Sequence, residues 1–280
     1  KSLDTVKRSG KALVIYNEGS NFSVGANIGL ALFAANLALW PLIEELQTKG
    51  QAVYKALKHA PFPVVAAPAG MALGGGCEIV LHSAAVQAHA ESYIGLVEVG
   101  VGLVPGWGGC KELVFRHALN PKRPNGPVPP VAAAFETIGL AKVSKSAAEA
   151  QDLLLLRAGD GITMNRDRLL ADAKAKALAL AQDYQPPKPQ PISLPGPTGA
   201  AAIGLALDDF HHQGKATDYD MVVSQKLARV LSGGDADILD ETTEDQLLAL
   251  EREAFQSLIR DPRTLARMEH MLETGKPLRN

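Results

Sequence analysis

Pro63–Val–Val–Ala–Ala–Pro–Ala–Gly–Met–Ala–Leu–Gly–Gly–Gly–Cys–Glu78 is the stretch around which the chain is organised. A β-branched apolar run bounded by proline and glycine suits a strand buried on both faces, and Cys77 to Ala85 then carries apolar residues at helical spacing. The junction is glycine. With no side chains at Gly74, Gly75 and Gly76 a ligand can reach the backbone, and the N–H groups of a helix's first turn point at it. Such an end favours negative charge developing on oxygen. Glu78 falls within that turn, which puts a carboxylate beside the converging N–H groups. Two readings stand side by side. One is a reaction centre in outline; the other is a tight helix–strand packing in which Glu78 only complements the helix dipole.

Composition narrows the class. The chain has 280 residues, 46% hydrophobic and 21% charged, enough for one large domain or one domain plus a smaller one. Twenty-eight basic residues against 30 acidic ones leave a formal charge of -2, which gives no reason to expect nucleic acid as a partner. Cys77 and Cys110 form neither a disulfide framework nor a metal spacing, and a reducing cytoplasm suits them. The longest nearly uncharged run, Ile28 to Ile43, is shorter than the ~20 residues of a membrane span. It also contains Asn36 and Pro41. No secretory signal opens the chain. Its first residue is Lys1 and not Met, as expected of a piece of something longer.

Outward from the central stretch, Ala12 to Tyr16 reads as a strand and Asn21–Phe–Ser–Val–Gly–Ala–Asn–Ile28 as a second glycine turn ahead of a helix. Ser23 fails as a nucleophile elbow, because G-x-S-x-G would need glycine where Asn21 stands. Ile28 to Thr48 is helical with Pro41 ending or kinking it, and is apolar enough to lie deep in the core or to line an apolar pocket. Gln51 to His59 follows as another helix, and Ala85 to Ala90 as a strand. Gly108 to His117 is helical, and Asn120 to Pro130 is a proline-rich break with two basic residues. Val131–Leu140, Lys145–Leu155 and Asn165–Ala181 are helical, the last with Asn165 as its cap. Gln185 to Pro197 reads as a stiff linker. Helices follow over Thr198–His212, Tyr219–Leu231, Glu241–Arg260 and Pro262–Glu273.

Glu98 is conspicuous. In Tyr93 to Gly109 it is the one charge among glycines and apolar residues. If Leu96, Val97, Val99, Val101 and Leu103 surround it, desolvation raises its pKa toward that of a proton donor; at a strand end it would instead face water. Gly100–Val–Gly102 is no dinucleotide loop, since the third glycine of G-x-G-x-x-G would fall at Pro105. Asp235 to Asp245 is no EF-hand, because the fifth and twelfth positions are Leu239 and Gln246. His211 and His212 read as surface residues. No metal is expected.

With both glycine turns and Glu98 in view, the chain resembles the crotonase, or enoyl-CoA hydratase/isomerase, family. The resemblance rests on Phe22–Ser–Val–Gly–Ala–Asn–Ile28, Ala72–Leu–Gly–Gly–Gly–Cys–Glu78 and Val97–Glu–Val–Gly–Val–Gly–Leu–Val–Pro–Gly106, in the family's order and spacing, and covers roughly Leu13 to Tyr184. It implies an α/β spiral of ββα turns followed by helices that often make trimer contacts. It makes the N–H groups of Ala26 and Gly75 an oxyanion hole for a thioester carbonyl, and Glu78 and Glu98 the two hydratase acids. Phe22, Gly25, Asn27, Gly74, Gly76, Pro105, Gly106 and Trp107 fall beside the acyl-CoA, with the helix from Ile28 along the acyl tail; Trp107 reads equally well as plain packing. The implied reaction is hydration of 2-enoyl-CoA in fatty-acid β-oxidation. Acyl-CoA is then substrate, and no cofactor belongs to this segment.

Asn27 stands where the family usually has Asp, and Val97 where Pro is common. Crotonase domains also open with two strands and a helix that precede the strand at Ala12, and this part is missing. The expected organisation is a crotonase-like domain over 1–184, a linker over 185–197 and a helical region over 198–280. The last two resemble the end of bacterial proteins in which a 3-hydroxyacyl-CoA dehydrogenase part precedes the crotonase part. With no Rossmann fingerprint here, NAD would be bound upstream. Two alternatives remain: Δ3,Δ2-enoyl-CoA isomerisation, and a non-catalytic acyl-CoA-binding or assembly module.

Overall fold

Residues 1–280 other than Arg123 and Asn125 are described by a computed structural model. In chain order the elements are α1 (Ser2–Ser9), β1 (Leu13–Tyr16), α2 (Ile28–Asn36), α3 (Trp40–Lys58), β2 (Val64–Ala67), β3 (Gly70–Leu73), α4 (Gly75–His82), β4 (Ala85–His89), β5 (Ser92–Gly95), α5 (Gly109–Ala118), α6 (Val128–Gly139), α7 (Ala147–Asp152), β6 (Gly161–Thr163), α8 (Leu169–Leu180), β7 (Ile192–Ser193), α9 (Gly196–His212), α10 (Asp218–Leu231), β8 (Glu241–Thr242), α11 (Glu244–Leu258) and α12 (Pro262–Thr274). Turns of 3-10 helix lie at Glu98–Val101 and Arg166–Arg168. The chain divides into two units interleaved in sequence. The first takes Lys1–Gly25, Ala52–Leu96 and Val143–Lys188; the second takes Ala26–Gln51, Val97–Lys142 and Pro189–Asn280.

The first unit is α/β. Its main sheet is parallel, in the order β1-β2-β4-β6. All four residues of β2 are buried, as a strand covered on both faces requires. Leu169, Ala173 and Ala177, one turn apart on α8, pack against Val65, Ala67 and Ala85. The alanines allow a close approach of helix to sheet. Asn165 does cap the start of this segment, its Oδ1 accepting from Asp167 N at 2.9 Å. A second parallel pair, β3 with β5, extends from the central glycine stretch. The expected single strand and turn is therefore two strands, the second broken from the first by Pro68 and by Gly70 at φ +60°. Strands β5 and β6 and helix α1 were not legible either. The first two are four and three residues long, too short for a periodic signal.

Among the described residues the second unit is almost entirely helical, with one short antiparallel pair, β7–β8. Helix α10 packs against α5, α6, α9 and α11 and buries Tyr219, Leu227 and Leu231. Capping boxes start α10 at Thr217 and α11 at Thr243, each satisfying two backbone N–H groups. Asp261 caps α12 ahead of Pro262.

Several expectations need correction. The helical run from Ile28 ends at Asn36, and a new helix begins at Trp40 with Pro41 in its first turn, where a missing N–H costs nothing. It then runs unbroken to Lys58, so Gln51 does not open a separate helix. Helix α2 does not lie deep in the core: only Ala34 and Ala35 are buried, while Leu30 and Phe33 are 66% and 62% exposed. The helix expected over 145–155 is the shorter α7, stopped where Leu154 takes φ +57°. Of the break expected at Asn120 to Pro130, Arg123 and Asn125 lie outside the described residues, and α6 already begins at Val128. Among the described residues no helix is long and apolar enough to cross a membrane.

Candidate active site

In the first unit the two glycine turns meet backbone to backbone. Phe22 N–H donates to Ala69 O at 2.9 Å, Ser23 N–H to Met71 O at 3.0 Å, and Leu73 N–H back to Ser23 O at 2.9 Å, so this segment runs as a strand extension along β3. The contact has no room for side chains. A Cβ on Gly25, whose φ is +92°, would stand 3.1 Å from Leu73 O and 3.4 Å from Gly75 N. One on Gly76 would stand 2.8 Å from Ser23 Cβ and closer still to Ser23 O. Gly74 is held at φ +53°, with its N–H donating to Gly95 O at 2.9 Å. Close approach at Gly25 and Gly76 and a left-handed backbone at Gly74 account for glycine at these positions.

Glu78 sits in the first turn of α4, 1% exposed, with its N–H donating to Gly74 O at 3.0 Å. His82, one turn on, donates from Nδ1 to Glu78 O at 2.7 Å, which leaves Nε2 as the second ring nitrogen. Tyr54 packs on His82 with ring centroids 5.6 Å apart, and its hydroxyl donates to Gly75 O at 3.0 Å. The helix end that carries Glu78 is thus tied down through Gly75 O. Phe22, Gly74, Gly75 and Gly76 are all buried.

In the second unit, Ala26 and Asn27 are exposed and lead into α2, which Asn27 caps through Oδ1 accepting from Leu30 N at 3.1 Å. Asn fills this capping role as well as Asp would. Glu98 is half-buried and opens a 3-10 turn, not a strand end. Val101 and Leu103 around it are buried, as expected, whereas Val97 and Val99 are only half-buried. Its carbonyl accepts from Gly102 N and, at 3.1 Å, from Leu103 N.

Pro105 and Gly106 are buried and Trp107 half-buried. Gly106 O accepts from Gln51 Nε2 at 3.1 Å, and the same amide group donates to Leu248 O at 3.0 Å. The Trp107 indole lies on Gly50, where any Cβ would overlap it. Glu251, fully buried on α11, accepts from Gly108 N at 2.8 Å and Lys111 N at 2.7 Å, closing the N-terminus of α5. Lys111, also fully buried, pairs with Glu112 at 2.5 Å and Glu244 at 3.1 Å. Burial works to lower its pKa, but the two carboxylates outweigh burial and hold it above its ordinary value.

The structure thus brings Phe22, Gly25, Gly74, Gly75, Gly76 and Glu78 together in one unit, and strings Glu98, Pro105, Gly106 and Trp107 along one braced segment of the other. Sequence reading passed over Tyr54, Gln51, Glu251 and Thr264. Each is a polar residue in a helix whose pattern gives it no mark of being buried.

The family described as enoyl-CoA hydratase/isomerase matches residues 2–118. A Bacillus subtilis protein named "Probable 3-hydroxyacyl-CoA dehydrogenase" is 42% identical over 281 residues, spanning 100% of this chain and 35% of its own length. A Rickettsia felis protein, named as a fatty acid oxidation complex trifunctional enzyme, is 30% identical over 267 residues, 95% of this chain and 34% of its own. The chain therefore spans about a third of the length of these curated relatives. Among solved structures, an enoyl-CoA hydratase/isomerase from Mycobacterium paratuberculosis superposes with TM-score 0.60 at 19% identity, over 95% of this chain and 83% of that one. An enoyl-CoA hydratase from Bacillus halodurans does so with TM-score 0.60 at 17% identity, over 96% and 87%. At those identities the likeness is one of fold.

Proposed function

Because residues 2–118 belong to the enoyl-CoA hydratase/isomerase, or crotonase, family, we propose that this chain binds an acyl-CoA thioester and adds water to its 2-enoyl group. The observation that carries the reading is the meeting of the two glycine turns beside a buried Glu78 in the first turn of α4.

The roles follow from charge. Backbone N–H groups of Ala26 and Gly75 donate to the thioester oxygen as it becomes anionic, which draws electrons out of the double bond and makes the β-carbon electrophilic. Glu78, as carboxylate, takes a proton from water as its oxygen bonds to the β-carbon. Glu98, protonated, gives its proton to the α-carbon as the enolate collapses, and the product is a 3-hydroxyacyl-CoA. One proton enters the enzyme and one leaves, so the pair ends with the proton on the other acid. Phe22, Gly25, Asn27, Gly74, Gly76, Pro105, Gly106 and Trp107 are assigned to substrate contact in this reading.

The names of the relatives support placing the chain within a larger protein of fatty-acid oxidation, and this reading assigns that protein to the cytoplasm. Gly100–Val–Gly102 offers no loop for a nicotinamide dinucleotide. Gly100 and Gly102 belong to a 3-10 turn and its left-handed cap, not to a strand-to-helix turn, and Pro105 occupies the third glycine position. Dehydrogenase chemistry is accordingly assigned outside this chain.

The test is the loss of conjugated enoyl-thioester absorbance with crotonyl-CoA, for the chain and for a longer protein containing it. Glu78→Gln and Glu98→Gln should each lower kcat by at least about 100-fold. An isomerase needs one carboxylate to shuttle one proton. Full hydration by either variant, or isomerisation of a 3-enoyl-CoA without hydration, would sink the assignment.

A further inference from the structure

The turn that follows Glu98 is held from behind by two hydroxyls. Gly102 takes a left-handed conformation, φ +79°, and its N–H together with that of Leu103 closes on Glu98 O. Its own carbonyl accepts from Thr264 Oγ1 on α12 at 2.8 Å. Thr264 Oγ1 lies 2.5 Å from Tyr219 OH on α10. A threonine hydroxyl has one proton, and it is committed to Gly102 O, so the Tyr219 phenol is the donor to Thr264. The chain of hydrogen bonds therefore has one direction: Tyr219 to Thr264 to Gly102.

Both side chains are fully buried. Two guanidinium groups lie over the Tyr219 ring, that of Arg263 at 4.2 Å and that of Arg267 at 4.9 Å from its centroid. Arg267 is itself 2% exposed and fixed by Asp220 at 2.8 Å and Asn280 at 2.7 Å. The packing leaves Gly102 no slack: a Cβ there would meet Thr264 Oγ1 at 2.9 Å, Tyr219 Cε1 at 3.1 Å and Arg267 Cδ at 3.2 Å. Van der Waals contact fixes where the turn sits, and the hydroxyl pair fixes its rotation.

We infer that Thr264 and Tyr219 are positioning residues for the proton-donating acid, setting the backbone from which Glu98 projects through Gly102. This rests on the reading of Glu98 as an acid of the reaction. Neither residue touches the reacting atoms; their effect passes through one carbonyl. Catalytic groups must be held to within about 0.5 Å of the productive geometry, and a misplacement of about 1 Å costs up to about 100-fold in rate.

Thr264→Val keeps the shape and removes the hydroxyl, Thr264→Ser restores the hydroxyl, and Tyr219→Phe removes only the second link. Each is made in the full chain, beside Glu98→Gln, and followed by hydration kinetics and by hydrogen exchange at the Gly102 and Leu103 amides. Thr264→Val should speed exchange at both amides and lower kcat about tenfold, with KM changed less than about twofold. Thr264→Ser should recover kcat to within about twofold, and Tyr219→Phe should lose about threefold. If Glu98→Gln is inactive while Thr264→Val and Tyr219→Phe keep wild-type kcat, the brace is refuted and the role of Glu98 stands. If Glu98→Gln hydrates normally, the catalytic reading falls and takes the brace with it. Faster exchange with both kcat and KM unchanged would show a merely structural contact and overturn the inference.

Discussion

Gly76→Ala tests the close approach of the two glycine turns most directly. An added methyl would stand 2.8 Å from Ser23 Cβ and closer to Ser23 O, whereas ordinary contact begins at 3.4 Å. The two backbones must therefore part by at least about 0.6 Å, because Ser23 O is main chain and cannot rotate away. Overpacking of this kind costs about 1–3 kcal/mol. Replacing glycine by alanine in a helix returns up to about 1 kcal/mol, less so close to the N-terminus. Stability should then drop by about 1–2 kcal/mol, which leaves a folded protein. Turnover should suffer far more. The displaced segment runs from Ser23 through Gly25 to the Ala26 amide, and a shift approaching 1 Å lowers kcat by about 10- to 100-fold. Urea unfolding and crotonyl-CoA hydration on the same preparation separate the two effects. A variant that hydrates at the wild-type rate with an unshifted urea midpoint would refute the claim that this contact sets the geometry of the site.

Lys111→Met should lower stability by about 3–5 kcal/mol in urea unfolding, because Glu112 and Glu244 would keep their charges next to a buried apolar side chain. Gly204→Ala should raise it by up to about 1 kcal/mol, since Gly204 lies inside α9 and a Cβ there meets no atom within 4 Å. Burial holds the Tyr219 phenol above its ordinary 10.0, so its contribution to stability is complete below that value and is lost as pH climbs through the folded pKa. Lys111, also raised, loses its contribution in the alkaline range as well. Tyr219→Phe should accordingly reduce, without abolishing, the fall in unfolding free energy above about pH 10. An equal fall in both proteins would show that Tyr219 is not the group responsible.

What could be read from the letters alone was whatever repeats or is punctuated. Val64 to Ala67 announced a buried strand by its unbroken apolar run, and the helices from Thr198 onward by their period. Glycine at Gly74, Gly75 and Gly76 marked a place where backbone meets backbone. Three kinds of feature were hidden. Strands of three or four residues such as β5 and β6 carry too few side chains to show alternation. Helix α2 is as apolar as a core helix yet turns Leu30 and Phe33 outward, which the pattern of its own residues cannot reveal because it has no polar face. Gln51, Glu251 and Thr264 are polar residues whose burial is decided by carbonyls and amides distant in sequence. The candidate acids were found because a lone carboxylate among glycines is rare enough to notice, but the groups that hold their backbones in place were not.

The chain passes from one unit to the other five times between Gly25 and Pro189. No single cut can therefore release either unit whole, and a nascent chain cannot finish the first, at Lys188, before two of the three segments of the second have been made. Completion of the second unit has to wait for the last helices, so contacts that close long loops come late and folding should be slow for a protein of this helix content.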